Sequence, residues 1–182
     1  LLMLCGAVAG AKEEGGHGEG GGYGHDWQEW HADNEVSNIA SLQRGARNFM
    51  GYCQGCHALK YMRYSRLGED LVIPPPQLEK FLLPPGEKSS SYILTSMPQA
   101  DAEAWFGKAP PDLSLMARAR GVDYLYRFLK TFYVDPTKAT GVNNLALDST
   151  AMPHVLSDLE GLKRAVFKDV QEQGADGEAD DH

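Results

Sequence analysis

No run of about eighteen consecutive apolar residues occurs in this 182-residue sequence, so nothing in it crosses a membrane as a single helix. Positive charge is also in short supply. The 17 Lys and Arg face 25 Asp and Glu, leaving a net charge of -8 at pH 7. That balance argues against nucleic acid as a partner, because phosphates are met by basic surfaces. No stretch alternates apolar and polar residues convincingly enough to read as a strand, which points to an all-α class with long loops. Cysteine is scarce as well, at three residues: Cys5, Cys53 and Cys56. A second C-x2-C is absent, so a thiolate-rich structural zinc site is not available. Nothing strand-like precedes Cys53, which removes the setting of a thioredoxin-type redox pair.

What remains is concentrated in Cys53-Gln54-Gly55-Cys56-His57. Two thiols three positions apart, followed at once by an imidazole, form the attachment signature of a c-type haem. The chemistry accounts for the spacing. Each thiol adds to one vinyl group along the same porphyrin edge, and His57 then reaches the iron from one face. The expected cofactor is therefore one covalently attached haem c, with Cys53 and Cys56 as anchors and His57 as proximal ligand.

Leu1 to Ala11 is apolar and then rich in small residues, and it reads as the remnant of a signal peptide. Cleavage after Ala9 or Ala11 would remove Cys5 and leave only the two motif cysteines. Export agrees with the motif, since haem is attached to such proteins outside the cytoplasm. Residues 12–32 are rich in Gly with scattered His17, His25 and His31, and read as a flexible segment. Trp27 and Trp30 mark where that segment begins to pack. Residues 33–170 form the haem domain, and residues 171–182 an acidic, disordered tail.

Within the domain, Asn38 to Tyr52 is expected as a helix capped by Asn38. Its apolar stripe (Leu42, Ala46, Phe49, Met50) runs into the motif. The proline-rich stretch from Ile73 to Ser91 is expected as loop with a short helix at Leu78 to Leu83, and Asp101 to Phe106 as a helical turn stopped at Gly107. Pro110-Pro111-Asp112 predicts the start of a helix ending at Arg120, before Gly121. Asp123 predicts the cap of another helix, with Leu125, Phe128, Leu129 and Phe132 on one face. Thr137 to Pro153 reads as loop, and Ser157 to Val170 as a last amphipathic helix opened by a capping box.

An electron carrier needs a sixth iron ligand, and a thioether opposite imidazole raises the potential. Met50 and Met116 fit helix faces, and Met62 lies too close to His57 in the chain. Met97-Pro98 and Met152-Pro153 remain, each with a proline that stiffens the ligand loop. His154 would give a bis-imidazole iron instead. Spacing alone leaves these open, with a modest preference for Met152.

Longer stretches resemble cytochrome c1, the haem subunit of quinol:cytochrome c reductase (the bc1 complex). They are Leu42-Gln43-Arg44-Gly45-Ala46 with the haem motif, Arg63-Tyr64-Ser65-Arg66, and Trp105-Phe106-Gly107-Lys108-Ala109-Pro110-Pro111-Asp112-Leu113-Ser114. Then come Arg118-Ala119-Arg120-Gly121, Asp123-Tyr124-Leu125-Tyr126 and Ala151-Met152-Pro153-His154-Val155-Leu156. The resemblance implies a cytochrome c-like haem domain with Met152 as distal ligand. It also implies that Pro111, Arg120 and Tyr124 line the haem, with Arg120 near a propionate, where a fixed guanidinium matches a carboxylate. Further implications are cytochrome b and a Rieske iron–sulfur protein as partners in a dimeric complex, and a soluble cytochrome c as acceptor. The resemblance places the domain on the periplasmic face of a bacterial inner membrane, held there by a C-terminal anchor that this sequence does not contain. Such a chain catalyses no bond-breaking step alone.

Three other readings share some of these features. A free periplasmic carrier would lack an anchor. A five-coordinate peroxidase would need a distal acid–base residue, for which His154 is the candidate. A metal-binding exported protein would use the N-terminal histidines.

Overall fold

The computed structural model describes residues 26–167. The expected signal-peptide remnant, the acidic tail and all of the glycine-rich segment but residues 26–32 lie outside them. Helices dominate, yet the all-α expectation needs correction, because two small antiparallel sheets are present.

A 3-10 turn at Trp27–Glu29 opens the described chain, and the Trp30 carbonyl then accepts Arg127 Nε at 2.7 Å. The segment is further tied down at Asp123. One carboxylate oxygen accepts Ala32 N at 2.8 Å and the other meets His31 Nδ1 at 2.8 Å. These bonds, Ala32 first, hold the Asp123 carboxyl below its usual range. The carboxylate expected to cap its own helix is thus engaged by a segment 91 positions away.

Helix α1, Ile39–Asn48, forms where the apolar period predicts it, with Asn38 Oδ1 accepting Ser41 N at 3.1 Å. It widens at once into a π-helical turn, Phe49–Cys53. Strand β1, Leu59–Arg63, follows the haem motif, and α2, Tyr64–Asp70, continues from it. Helix α3, Pro75–Phe81, starts with prolines in its first turn, where a missing N–H costs nothing. The short helix therefore sits three residues earlier than the sequence pattern places it. Strand β2, Tyr92–Ile93, pairs with β1.

The first core consists of Tyr64, Leu78 and Ile93, surrounded by Phe49, Met50, Leu59, Met62, Leu67, Ile73, Leu82 and Leu83. Helices α2 and α3 approach closely at Gly68, where a Cβ would lie 3.0 Å from Leu78 Cδ2.

Helix α4, Gln99–Phe106, stops at Gly107, whose φ of 74° is the left-handed conformation that favours glycine. The helix expected from Pro110 is shorter: α5 covers only Met116–Arg120. Asp112, at the expected helix start, is engaged elsewhere. Helix α6, Val122–Lys130, leads into strand β3, Phe132–Val134, which pairs with β4, Val142–Asn144. The run expected to be loop from Thr137 to Pro153 thus contains a strand.

The last helix is corrected too. Helix α7 is a single turn, Ser157–Glu160, without a side-chain cap. Beyond Gly161 the Lys163 carbonyl accepts Val134 N at 2.8 Å, so the chain runs along β3 rather than coiling.

Candidate haem site

The motif sits on a sharp backbone turn. Gln54 N bonds Phe49 O at 2.9 Å, closing the wide π turn, and both Cys56 N and His57 N bond Cys53 O, at 3.0 and 2.8 Å. The two thiols are free and half-buried. Burial raises the pKa of Cys53, and the neighbouring Cys56 raises it further. Neither cysteine is in a disulfide. Gln54 Nε2 donates to Leu94 O at 2.6 Å and Thr95 Oγ1 to Gly55 O at 2.9 Å, so the β2 end buttresses the turn.

His57 is oriented by a residue 54 positions away. Its Nδ1 lies 2.8 Å from the carbonyl oxygen of Pro111. A carbonyl only accepts, so Nδ1 carries the proton and the Nε2 lone pair is left for a metal. Pro111 was expected to line the haem; its observed contact with the site is this backbone acceptor.

Asp112 explains why the Pro-Pro-Asp-Leu-Ser run has that composition. Its carboxylate accepts Lys60 N at 2.9 Å and Ser114 N at 3.0 Å. Ser114 Oγ accepts Tyr61 N at 3.2 Å, and Leu113 N bonds Ala58 O at 2.9 Å. The segment is thus zipped to the residues directly after the motif, which fixes Pro111 over His57. Burial works against the Asp112 charge, but the hydrogen bonds from Ser114 and Lys60 outweigh it and hold the carboxyl below its usual range. Reading Pro110-Pro111-Asp112 as a helix start missed this role, which only a long-range pairing reveals.

Arg120 and Tyr124 form a second group at the α5–α6 corner. The exposed guanidinium lies 5.3 Å from the Tyr124 ring centroid. Tyr124 stacks on Phe128 (6.3 Å, 21°), Phe128 meets Phe132 edge-on (5.3 Å, 72°), and Phe132 stacks flat on His154 (5.0 Å, 7°). This aromatic series joins the corner to the Met152-Pro153-His154 segment. Burial lowers the pKa of His154 and keeps it neutral. Its ring, 8% exposed with no partner at Nε2, is packed as a core aromatic.

Met152 is half-buried on the loop after β4, and its N–H points to Thr150 Oγ1 at 3.4 Å. Met97 is placed differently. Its N–H bonds Thr95 Oγ1 at 3.1 Å, and Thr95 in turn bonds the motif at Gly55, so Met97 stands beside the turn carrying His57. Among the described residues no cluster of three or more His, Cys, Asp or Glu forms a separate metal centre.

Two free thiols and an imidazole of fixed tautomer on one turn fit a covalently attached haem, and the class of protein is a c-type cytochrome. No protein-family model matches the chain. It is 46% identical over 145 residues to a cytochrome c1 of Allochromatium vinosum, covering 80% of this chain and 59% of that protein. It is 31% identical over 112 residues to a cytochrome c1 of Rhodospirillum rubrum, covering 52% of this chain and 41% of that one. A protein named ammonia monooxygenase gamma subunit, from Nitrosomonas europaea, is 46% identical over 121 residues (66% of this chain, 51% of that protein). The chain spans about half the length of the curated relatives it matches. The matched span is homologous to cytochrome c1, and that relationship implies a covalently bound haem c.

Proposed function

We propose that this chain is the electron-transfer haem domain of a bc1-type quinol:cytochrome c reductase. It accepts an electron from a Rieske iron–sulfur protein and passes it to a soluble cytochrome c, with cytochrome b as the membrane partner. Its setting is the periplasmic face of the inner membrane. Among the described residues no helix is long and apolar enough to cross a membrane.

The observation that carries the reading is the His57 imidazole, held by the Pro111 carbonyl on the turn that bears Cys53 and Cys56. When bound, the haem supplies the one-electron couple; the chain's residues hold and tune it. Cys53 and Cys56 tether one edge. His57 would bind the iron through Nε2, and its Nδ1 bond to Pro111 prevents the ring from turning. Met152 would supply the second iron ligand, a role favoured over Met97 because Met97 lies beside the turn that carries His57. Arg120 offers a cation to a propionate while resting on Tyr124. The net charge of -8 gives a field that steers a basic acceptor.

Two measurements test this. Affinity purification of the full-length protein from its native membrane should bring along b-type haem and a Rieske-type iron–sulfur signal; recovery of the c-type haem alone would make it a free carrier. Met152→Ala should lower the reduction potential strongly, because a thioether favours ferrous iron. An unchanged potential would place the sixth ligand elsewhere.

A further inference from the structure

The loop that carries Met152 is held by two buried amides that the haem chemistry does not itself require. Asn143 and Asn144 are 2% and 1% exposed at the end of β4. Asn144 Oδ1 accepts Ala146 N at 2.9 Å and Leu147 N at 3.1 Å, and also meets Thr131 Oγ1 at 3.3 Å. Its Nδ2 donates to Phe128 O at 2.6 Å, at the end of α6. Asn143 Oδ1 accepts Ser149 N at 2.8 Å, while its Nδ2 donates to Asp148 Oδ1 at 2.7 Å.

Together these bonds pin four backbone or side-chain positions between residues 146 and 149. One of them is Ser149, a non-glycine residue at φ 57°, three residues before Met152. That conformation is unfavourable for serine and persists only where the surroundings dictate it. Thr150, 7% exposed, then passes the constraint to the Met152 N–H. Asn144 also anchors the loop to α6, whose Tyr124 and Phe128 begin the aromatic series ending at His154.

We infer that Asn143 and Asn144 are positioning residues for the Met152 thioether. They form a buried template that fixes the loop so that the sulfur is held toward the iron without a covalent brace. The physical reason is that iron–thioether bonding is weak, so a loop free to fray would surrender the sixth position to water or another base. Each buried amide replaces loop entropy with hydrogen bonds partly shielded from solvent. The inference rests on Met152 being the distal ligand.

The test uses the full holoprotein with free imidazole as the competing ligand. Asn144→Ala and Asn143→Ser should both retain covalent haem. Each should weaken the thioether-to-ferric-iron absorption band and lower the reduction potential. Imidazole should bind ferric iron at about tenfold lower concentration, the ratio expected for one lost restraining hydrogen bond. Leu78→Ala, in the core formed with Tyr64 and Ile93, serves as a control that lowers stability while leaving band and imidazole affinity as in the parent. If either Asn variant loses stability but keeps the parental band and affinity, the two amides are structural only and the inference falls. Should Asn144→Ala fail to accumulate, Asn143→Ser decides alone. Met152→Ala is the reference: if it too leaves the band unchanged, the distal assignment has failed rather than the positioning.

Discussion

Asp112→Asn is the most informative change at the proximal side. In the parent, one carboxylate oxygen accepts Lys60 N and the other Ser114 N. Asparagine keeps one acceptor and turns an NH2 group toward the other N–H, so one hydrogen bond weakens and the other becomes a donor–donor clash. Hydrogen bonds to charged groups are worth about 1.5–3 kcal/mol, and partial exposure puts these toward the lower end, so the expected loss is about 2 kcal/mol. Urea unfolding of the holoprotein at neutral pH reads that loss directly. The pH dependence adds a second check. The folded pKa of Asp112 lies below its ordinary 3.8. Its contribution is therefore fully present above the unfolded value and disappears as pH falls through the folded one. Parent and variant should differ most near neutrality and converge in acid, below about pH 4. The reduction potential should also rise, because a loosened Pro111 carbonyl leaves His57 a weaker electron donor. Equal stability at neutral pH together with an unchanged potential would refute the idea that this carboxylate holds the proximal histidine in place.

Other outcomes are equally specific. Cys53→Ala combined with Cys56→Ala should yield no covalent haem on a denaturing gel and a chain that is degraded in the cell; a stable folded apo-domain would contradict it. Arg120→Gln should cost little in stability, since an exposed cation–π contact is worth about 0.5–1 kcal/mol. It should nevertheless lower haem retention or the potential, because a nearby cation disfavours ferric iron. Indifference on both counts, in redox titration and haem quantification, would return Arg120 to an ordinary helix-end charge.

The aromatic series from Tyr124 to His154 clarifies the C-terminal half. His154 is chemically able to bind iron, and from spacing it competes with Met152. Its ring instead lies flat on Phe132 and is buried, which makes it part of the wall behind the Met152 loop. Glu160 supports that wall. Burial disfavours its charge, but Lys163 and Lys130 outweigh the penalty and hold its carboxyl below the usual range.

Several features were legible in the chain itself because they depend on neighbours in sequence. The thiol–imidazole triplet declares its chemistry through spacing alone. Helix α1 follows from an apolar period and an asparagine cap, and α4 ends at Gly107 because glycine accepts the left-handed conformation. Other features came only with tertiary structure. Pro110-Pro111-Asp112 has the composition of a helix start, yet the Asp112 carboxylate is claimed by the Lys60 N–H, 52 positions earlier. Among the described residues the four strands are two to five residues long, too short for a period of two to stand out. Residues after Gly161 carry a helical pattern, but the free edge of β3 offers Val134 N to the Lys163 carbonyl. Asn143 and Asn144 read as loop because side-chain amides reveal their targets only when the chain has closed around them. Local covalent chemistry and turn preferences are written in adjacent residues, whereas the partners of a buried polar group are chosen by packing between distant ones.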